Sequence, residues 1–560
     1  MDIERDSIGE ERLRRNGELT LVSGLAFLLS VGIFAWFYRR GDILLYGDAV
    51  AHLNIARRFT DARNPGWEQL GTVWLPLPHL LVAPFVANDW LWRTGVGGSI
   101  PSMLAYVLGV AGIYRLVRAR ASVAAAALAA AIYAFNPSLL YMQSTAMTES
   151  IFLAAVIWSV VYFDEFLRGL FPGSPGKIPA IPAWRAIERC GLSLAAAVLT
   201  RYDGWIIAFI VGLWAVFAAT RWHTARPSQR EIGRLLRSMI AFLLLLALCP
   251  TLWLAHNYRI NRRPLDWLNG PYSAKAIENR SSGPTASPYP EKNHVVLAAQ
   301  YFLKAARMNT GEGARENWLI LLASAGVLIS AFHLRRFGAL LLFWIPLPFY
   351  AFSVAYGSVP IFVPEWWPYS YYNVRYGLEL LPAIAVYIAV IPWLASRLQR
   401  RWLTITASCV LVLITFLAYS SSAWCFSKRS QDREWGRKWM IPICYREAWA
   451  NGRGRQQLET QIAQVLSAMP QDSTVLMYTG EYPGAIERSG VHFERVISEC
   501  TRFAWDSARS APFAGADFLV AVAGDPVAEA VRINPRGLTT ITIIHTFGKP
   551  EVRIYRGSRR

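Results

Sequence analysis

Long apolar runs alternate with short charged loops through most of the chain, and after Ser420 the pattern changes to short strand-like and helix-like stretches. Runs that match the thickness of a hydrocarbon core lie near Leu21 to Tyr38, Gly97 to Val117, Ala121 to Tyr141, Thr148 to Leu167, Cys190 to Thr200, Trp205 to Ala219, Ser238 to His256, Asn317 to His333, Gly338 to Tyr356, Tyr376 to Leu394 and Trp402 to Ser420, about eleven by this criterion. The run from Cys190 to Thr200 is short for a span and reads as a re-entrant segment or as one arm of a tight hairpin. In the tail, STVLMYTG and DFLVAVAG read as buried strands, TTITIIHTF and EVRIYR as a hairpin turning at Gly548, Lys549 and Pro550, and Gln456 to Met469 as a helix. The expected architecture is a polytopic α-helical membrane protein with a C-terminal α/β domain.

Charge gives these spans a direction. The chain has 560 residues, 54% of them apolar and 17% charged, with a net charge of +19 and a mean hydropathy of +0.26. In a soluble chain such an excess of Arg and Lys would suggest nucleic acid. Here it falls in short loops at Arg115 to Arg120, Arg168 to Arg189, Arg221 to Arg237, Arg335 and Arg336, and Arg397 to Arg401, the signature of cytoplasmic loops. No nucleic-acid partner is expected. An odd number of spans puts these loops and the N-terminus inside, and the tail outside. The segments then expected are a cytoplasmic 1–19, a membrane domain 20–420 with outer loops 39–96 and 257–316, and an extracytoplasmic 421–560. With no small-residue cleavage site after it, the first run reads as a retained anchor.

The outer side collects the unusual chemistry. Tyr46 to Pro84, YGDAVAHLNIARRFTDARNPGWEQLGTVWLPLPHLLVAP, carries Asp48, His52, Arg57, Arg58, Asp61, Arg63 and Glu68 beside a membrane. Asp48 and His52 stand four apart and share one face of a helix. A carboxylate beside an imidazole serves as a general base, binds a divalent cation, or forms a buried ion pair. The same stretch also suits an amphipathic helix on the bilayer, with Arg57, Arg58 and Arg63 on lipid phosphates. Glu149, in AMTES, and Arg201 and Asp203, in LTRYDGW, sit at the ends of apolar spans, where charge is costly and is either functional or paired between helices. The six cysteines include no CxxC and no zinc module; a bridge between Cys425 and Cys444 is one pairing open to an extracytoplasmic tail. The tail carries no dinucleotide, Walker or hydrolase signature.

With Asp48 in the first outer loop, followed by WLPLPH at Trp74 to His79, LTRYDGW at Leu199 to Trp205 and RYGLELLP at Arg375 to Pro382, the chain resembles the GT-C superfamily of integral membrane glycosyltransferases. Its nearest look-alikes are bacterial relatives of protein O-mannosyltransferases and the lipid A aminoarabinose transferase. The resemblance covers Leu21 to Ser420 and is looser over the tail. It implies an enzyme of the bacterial cytoplasmic membrane that takes a sugar from a polyprenyl-phosphate carrier and transfers it to a glycan, lipid or protein acceptor outside. The family's first-loop Asp, which acts near the acceptor or a metal, maps to Asp48. Many members have a second acidic residue beside it. Here the neighbour is Ala49, which leaves His52 as the substitute partner for any divalent ion.

An inverting transfer needs a base for the attacking hydroxyl and cations for the departing phosphate. Asp48 suits the base, tuned by His52. Arg201 and Arg375, each followed by Tyr (Tyr202 and Tyr376), suit the phosphate, because a guanidinium fork binds two oxygens. Glu149 is expected to orient an Arg or to accept a sugar hydroxyl. Arg58, Asp203, Lys275, Arg280, Tyr372 and Asn373 complete the expected substrate-binding set, with Lys275 and Arg280 otherwise reading as part of a solvated loop. A transporter also places charge in its spans, but its sites lie at the midplane between paired halves. A scaffold acting through its tail would leave the outer-face charges without a role.

Overall fold

In the computed structural model, residues 2–171, 181–223, 228–281, 288–423 and 440–557 are described. Among them, eight helices are long and apolar enough to cross a membrane: Leu13–Arg39, Val96–Arg118, Glu149–Leu170, Asp203–Trp222, Gln229–Asn261, Gly338–Tyr356, Val374–Arg397 and Arg401–Ser422. The three other runs picked out by hydropathy are also helical but shorter. Val123–Ala134 stops at Asn136, whose Oδ1 caps the next helix, Pro137–Met142, by accepting from the Leu139 amide at 2.9 Å; a proline that begins a helix cannot continue the one before it. Ala183–Val198 turns within four residues into the helix that starts at Asp203, which is the hairpin arrangement. Trp318–Ala331 is the third.

The chain divides into two compact units. The first comprises residues 1–38, 102–144 and 148–447 and is helical. Several of the basic residues that mark loops are tied down by carboxylates: Arg115 to Glu165 at 2.6 Å, Arg118 to Glu18 at 2.8 Å, and Arg168 to Asp164 at 2.9 Å. A charge at the end of a span is tolerable when its partner comes with it. Cys444 donates to Asn309 Oδ1 at 3.2 Å, and Cys425 lies outside the described residues.

The second unit comprises residues 39–101, 145–147 and 448–560. Its sheet contains β1 (Val475–Met477), β2 (Val496–Ile497), β3 (Phe518–Val522), β4 (Leu538–Ile544) and β5 (Val552–Gly557), in the order β2-β1-β3-β5-β4. β1 runs parallel to β2 and β3, while β5 is antiparallel to β3 and β4. The strands expected from sequence are those of β1, β3, β4 and β5; β2, two residues long, is too short to leave a pattern. The helix Gly47–Asp61 packs into this unit through Asn54, whose Nδ2 donates to the Pro483 carbonyl at 3.0 Å and to Glu487 Oε2 at 3.2 Å. Gly452 lies so close to the Leu45 carbonyl that no Cβ fits between them.

Candidate active site

The first polar centre lies in the second unit. Asp48 occupies the first turn of Gly47–Asp61, where the helix dipole favours a negative charge, and is partly exposed. One turn on, His52 is buried against the Trp74 ring, 4.6 Å between centroids, and its Nδ1 lies 2.8 Å from Nε2 of the fully buried His79. Nδ1 of His79 has no hydrogen-bond partner. Burial, reinforced by the neighbouring His52 ring and the charge of Arg58, holds the His79 pKa well below the ordinary imidazole value, so His79 is neutral.

The two arginines of this helix differ completely. Arg57 is buried and fully bonded, to Asp61 at 2.9 Å, to Asp89 at 2.7 Å and to the Val86 and Ala87 carbonyls, with its guanidinium over the Trp92 ring. This rivets the loop together and leaves nothing for a lipid phosphate. Arg58 lies over the Phe493 ring at 5.8 Å, its Nε buried without a partner. Among the described residues it is held by a ring face and by no carboxylate.

The second centre lies in the first unit and joins five of its segments. The Arg201 guanidinium meets Asp203 Oδ2 at 3.3 Å, Glu379 Oε1 at 3.1 Å and Glu149 Oε1 at 3.6 Å. Arg375 meets Glu149 Oε1 at 3.1 Å and Glu447 Oε1 at 3.2 Å. Tyr350 donates to Glu379 Oε1 at 2.6 Å and accepts from Arg201. The Tyr376 ring packs on Tyr350 and on both guanidiniums. Four carboxylates face two guanidiniums, and Oε2 of Glu149 and of Glu379 are buried without partners. Asn373, at φ 56°, gives its amide to Glu447 at 2.7 Å and its side chain to the Pro360 carbonyl.

Four expected residues, Glu149, Arg201, Asp203 and Arg375, thus meet in one cluster, with Tyr376 and Asn373 around it. Tyr202 and Tyr372, in the same unit, make other contacts. Tyr202 stacks on Trp267 at 4.0 Å and accepts from Trp253 Nε1. Tyr372 is exposed and pairs with Phe362 as a β-bridge. Lys275 is exposed on the helix Ala274–Ser281, which also contains Arg280, whose side chain lies outside the described residues. Sequence reasoning missed Glu379, Tyr350, Glu447 and His79. Glu379 was detectable as a charge in an apolar span four residues after Arg375, and His79 as part of WLPLPH; Tyr350 and Glu447 carry no such mark. Among the described residues no group of three or more His, Cys, Asp or Glu is placed to hold a metal ion.

No known family profile matches the sequence, and no curated protein matches it. Solved structures do. ArnT from Cupriavidus metallidurans bound to undecaprenyl phosphate superposes with a TM-score of 0.56 at 11% identity, over 96% of this chain and 98% of that one. Its apo state gives 0.55 with the same identity and coverage. The chain has the fold of ArnT. The apo oligosaccharyltransferase of Archaeoglobus fulgidus gives a TM-score of 0.45 at 13% identity, over 90% of this chain and 69% of that one. The likeness to ArnT extends beyond the membrane segments that carry the sequence resemblance. It takes in the α/β tail as well.

Proposed function

We propose that the protein is a membrane glycosyltransferase that moves a sugar from a polyprenyl-phosphate carrier to an extracytoplasmic acceptor with inversion. The observation that carries this reading is the likeness to ArnT along nearly the whole chain, in a structure that holds undecaprenyl phosphate. Asp48 takes the proton of the acceptor hydroxyl as its oxygen bonds to the anomeric carbon, and the bond from that carbon to the phosphate oxygen breaks. Arg58 supports the phosphate as charge collects on it, since its guanidinium has no carboxylate to give up. Arg201 and Arg375 hold the carboxylate cluster in shape. His52 and Asp48 make too small a donor set for a divalent ion while His52 Nδ1 is engaged by His79, and no step here runs through a metal.

The test is transfer of radiolabelled sugar from a panel of polyprenyl-phosphate donors by purified protein in lipid. Wild type is expected to turn over at least one donor. Failure to bind any donor would overturn the reading.

A further inference from the structure

The helix Ile443–Ser467 carries Arg453, Gln456, Gln457, Thr460 and Gln461 at a spacing that lines them along one face. Against this face the β4–β5 hairpin brings His545, Thr546 and Phe547, and Arg488 closes one end of a cleft of about 620 Å³. The hairpin is tied to the helix by Thr546, which donates to Gln461 Oε1 at 2.5 Å. A polar helix face alone is solvated surface; three features make this one a site. Clefts of roughly 300–1,000 Å³ are the size that takes small ligands. Arg488 keeps 26% of its side chain exposed, and the carboxylate it meets, Glu459 at 3.9 Å, is already taken by Arg455 and by the Gly484 amide. The Phe547 ring at the hairpin tip is fully exposed, a flat apolar face that nothing in the fold requires.

We propose that this cleft binds an acidic saccharide, one bearing a phosphate or carboxylate, as the glycan part of the acceptor. Side-chain amides offer donors and acceptors together, which suits vicinal hydroxyls. Two guanidiniums supply forks for the acid group, and Phe547 stacks on the C–H face of a sugar ring. The acceptor role rests on the transferase reading; the binding does not. Full-length protein in detergent is applied to an array of phosphorylated and carboxylated oligosaccharides and their neutral counterparts, with donor turnover measured on the same preparation. Acidic glycans should bind over neutral ones, and Arg453→Ala with Arg488→Ala should weaken them at least about tenfold, the scale of losing charged hydrogen bonds. Phe547→Ala, which removes only an exposed ring, should weaken acidic and neutral glycans alike. Equal binding of neutral and acidic glycans, no effect of the double variant, or displacement by inorganic phosphate or anionic vesicles at matching concentration would each overturn the site. Selective binding without donor turnover would leave the site standing and remove the transferase reading; turnover without glycan binding would do the reverse.

Discussion

His52 and His79 share one hydrogen bond, Nδ1 to Nε2 at 2.8 Å, and the direction of that bond follows from what lies on the far side of His79. The Nδ1 of His79 is buried and unpartnered. A proton there would be an orphaned donor, which is rarer and more costly than an unpaired lone pair. His79 therefore carries its proton on Nε2 and donates to His52. His52 in turn keeps its own proton on Nε2, and one turn of helix from Asp48 stands an imidazole of fixed tautomer.

Replacing His79 by Ala releases that tautomer without touching Asp48. Turnover should fall by roughly 10- to 100-fold, the range for partners that orient a site residue. Chemical shifts of the His52 ring nitrogens should change from one tautomer to a mixture. An unchanged spectrum would remove the orienting role.

Asp48→Asn keeps the shape of the side chain and removes the base. The kcat for sugar transfer should drop by about 10²–10⁴, with donor binding by equilibrium titration close to wild type. Normal turnover in this variant would take Asp48 out of the chemistry.

Arg58 and Arg375 should respond in opposite ways to truncation. Arg58→Ala removes a guanidinium that rests on a ring, so the thermal midpoint should hold while donor affinity falls about tenfold. Arg375→Ala strands Glu149 and Glu447 in a buried setting, and one-sided loss of a buried pair costs about 3–5 kcal/mol. Adding Glu149→Gln to Arg375→Ala should return part of the lost midpoint, which a purely phosphate-binding Arg375 would not show.

Glu487 provides a pH test. Burial, partly offset by Arg488 and reinforced by Glu459, raises its pKa to about 8, against about 4.3 in an unfolded chain. Between these values the folded protein holds a proton that the unfolded chain has released, so stability declines as pH rises from about 4 to 8 and levels off above. Glu487→Gln mimics the protonated form and can still accept from Asn54. It should match wild type near pH 5 and melt higher above pH 8, by roughly 2–4 °C for each kcal/mol of burial cost relieved. Parallel curves for the two proteins would show that Glu487 does not titrate in this window.

What the chain reveals before folding divides by range. Spans are local, and hydropathy locates the eight long apolar helices, though it passes over the short Leu77–Val86 and overstates the length of Ala121 to Tyr141 because Asn136 and Pro137 break it into two. Glu149, Arg201, Asp203 and Arg375 stood out because charge beside an apolar run needs a reason. Tyr350 and Glu447 did not, since a tyrosine in a span and a glutamate after one are ordinary until the fold brings them to those arginines. Arg57 and Arg58 looked alike in sequence; only packing gives one five bonding partners, His492 among them, and the other a phenyl ring.

The bonds from Asn54 to Pro483 and Glu487 join groups 429 and 433 residues apart. During synthesis the Gly47–Asp61 helix emerges long before the Pro483 to Glu487 segment it bonds to exists, and the intervening spans must be inserted first. Until the ribosome nears the end of the message, the loop that holds Asp48 has its buried face uncovered, a long-range debt of the kind that slows folding and invites chaperones. A chain cut short before the sheet would thus lose more than its tail. Its first loop would be left unfinished, and a protease present during translation should find it there.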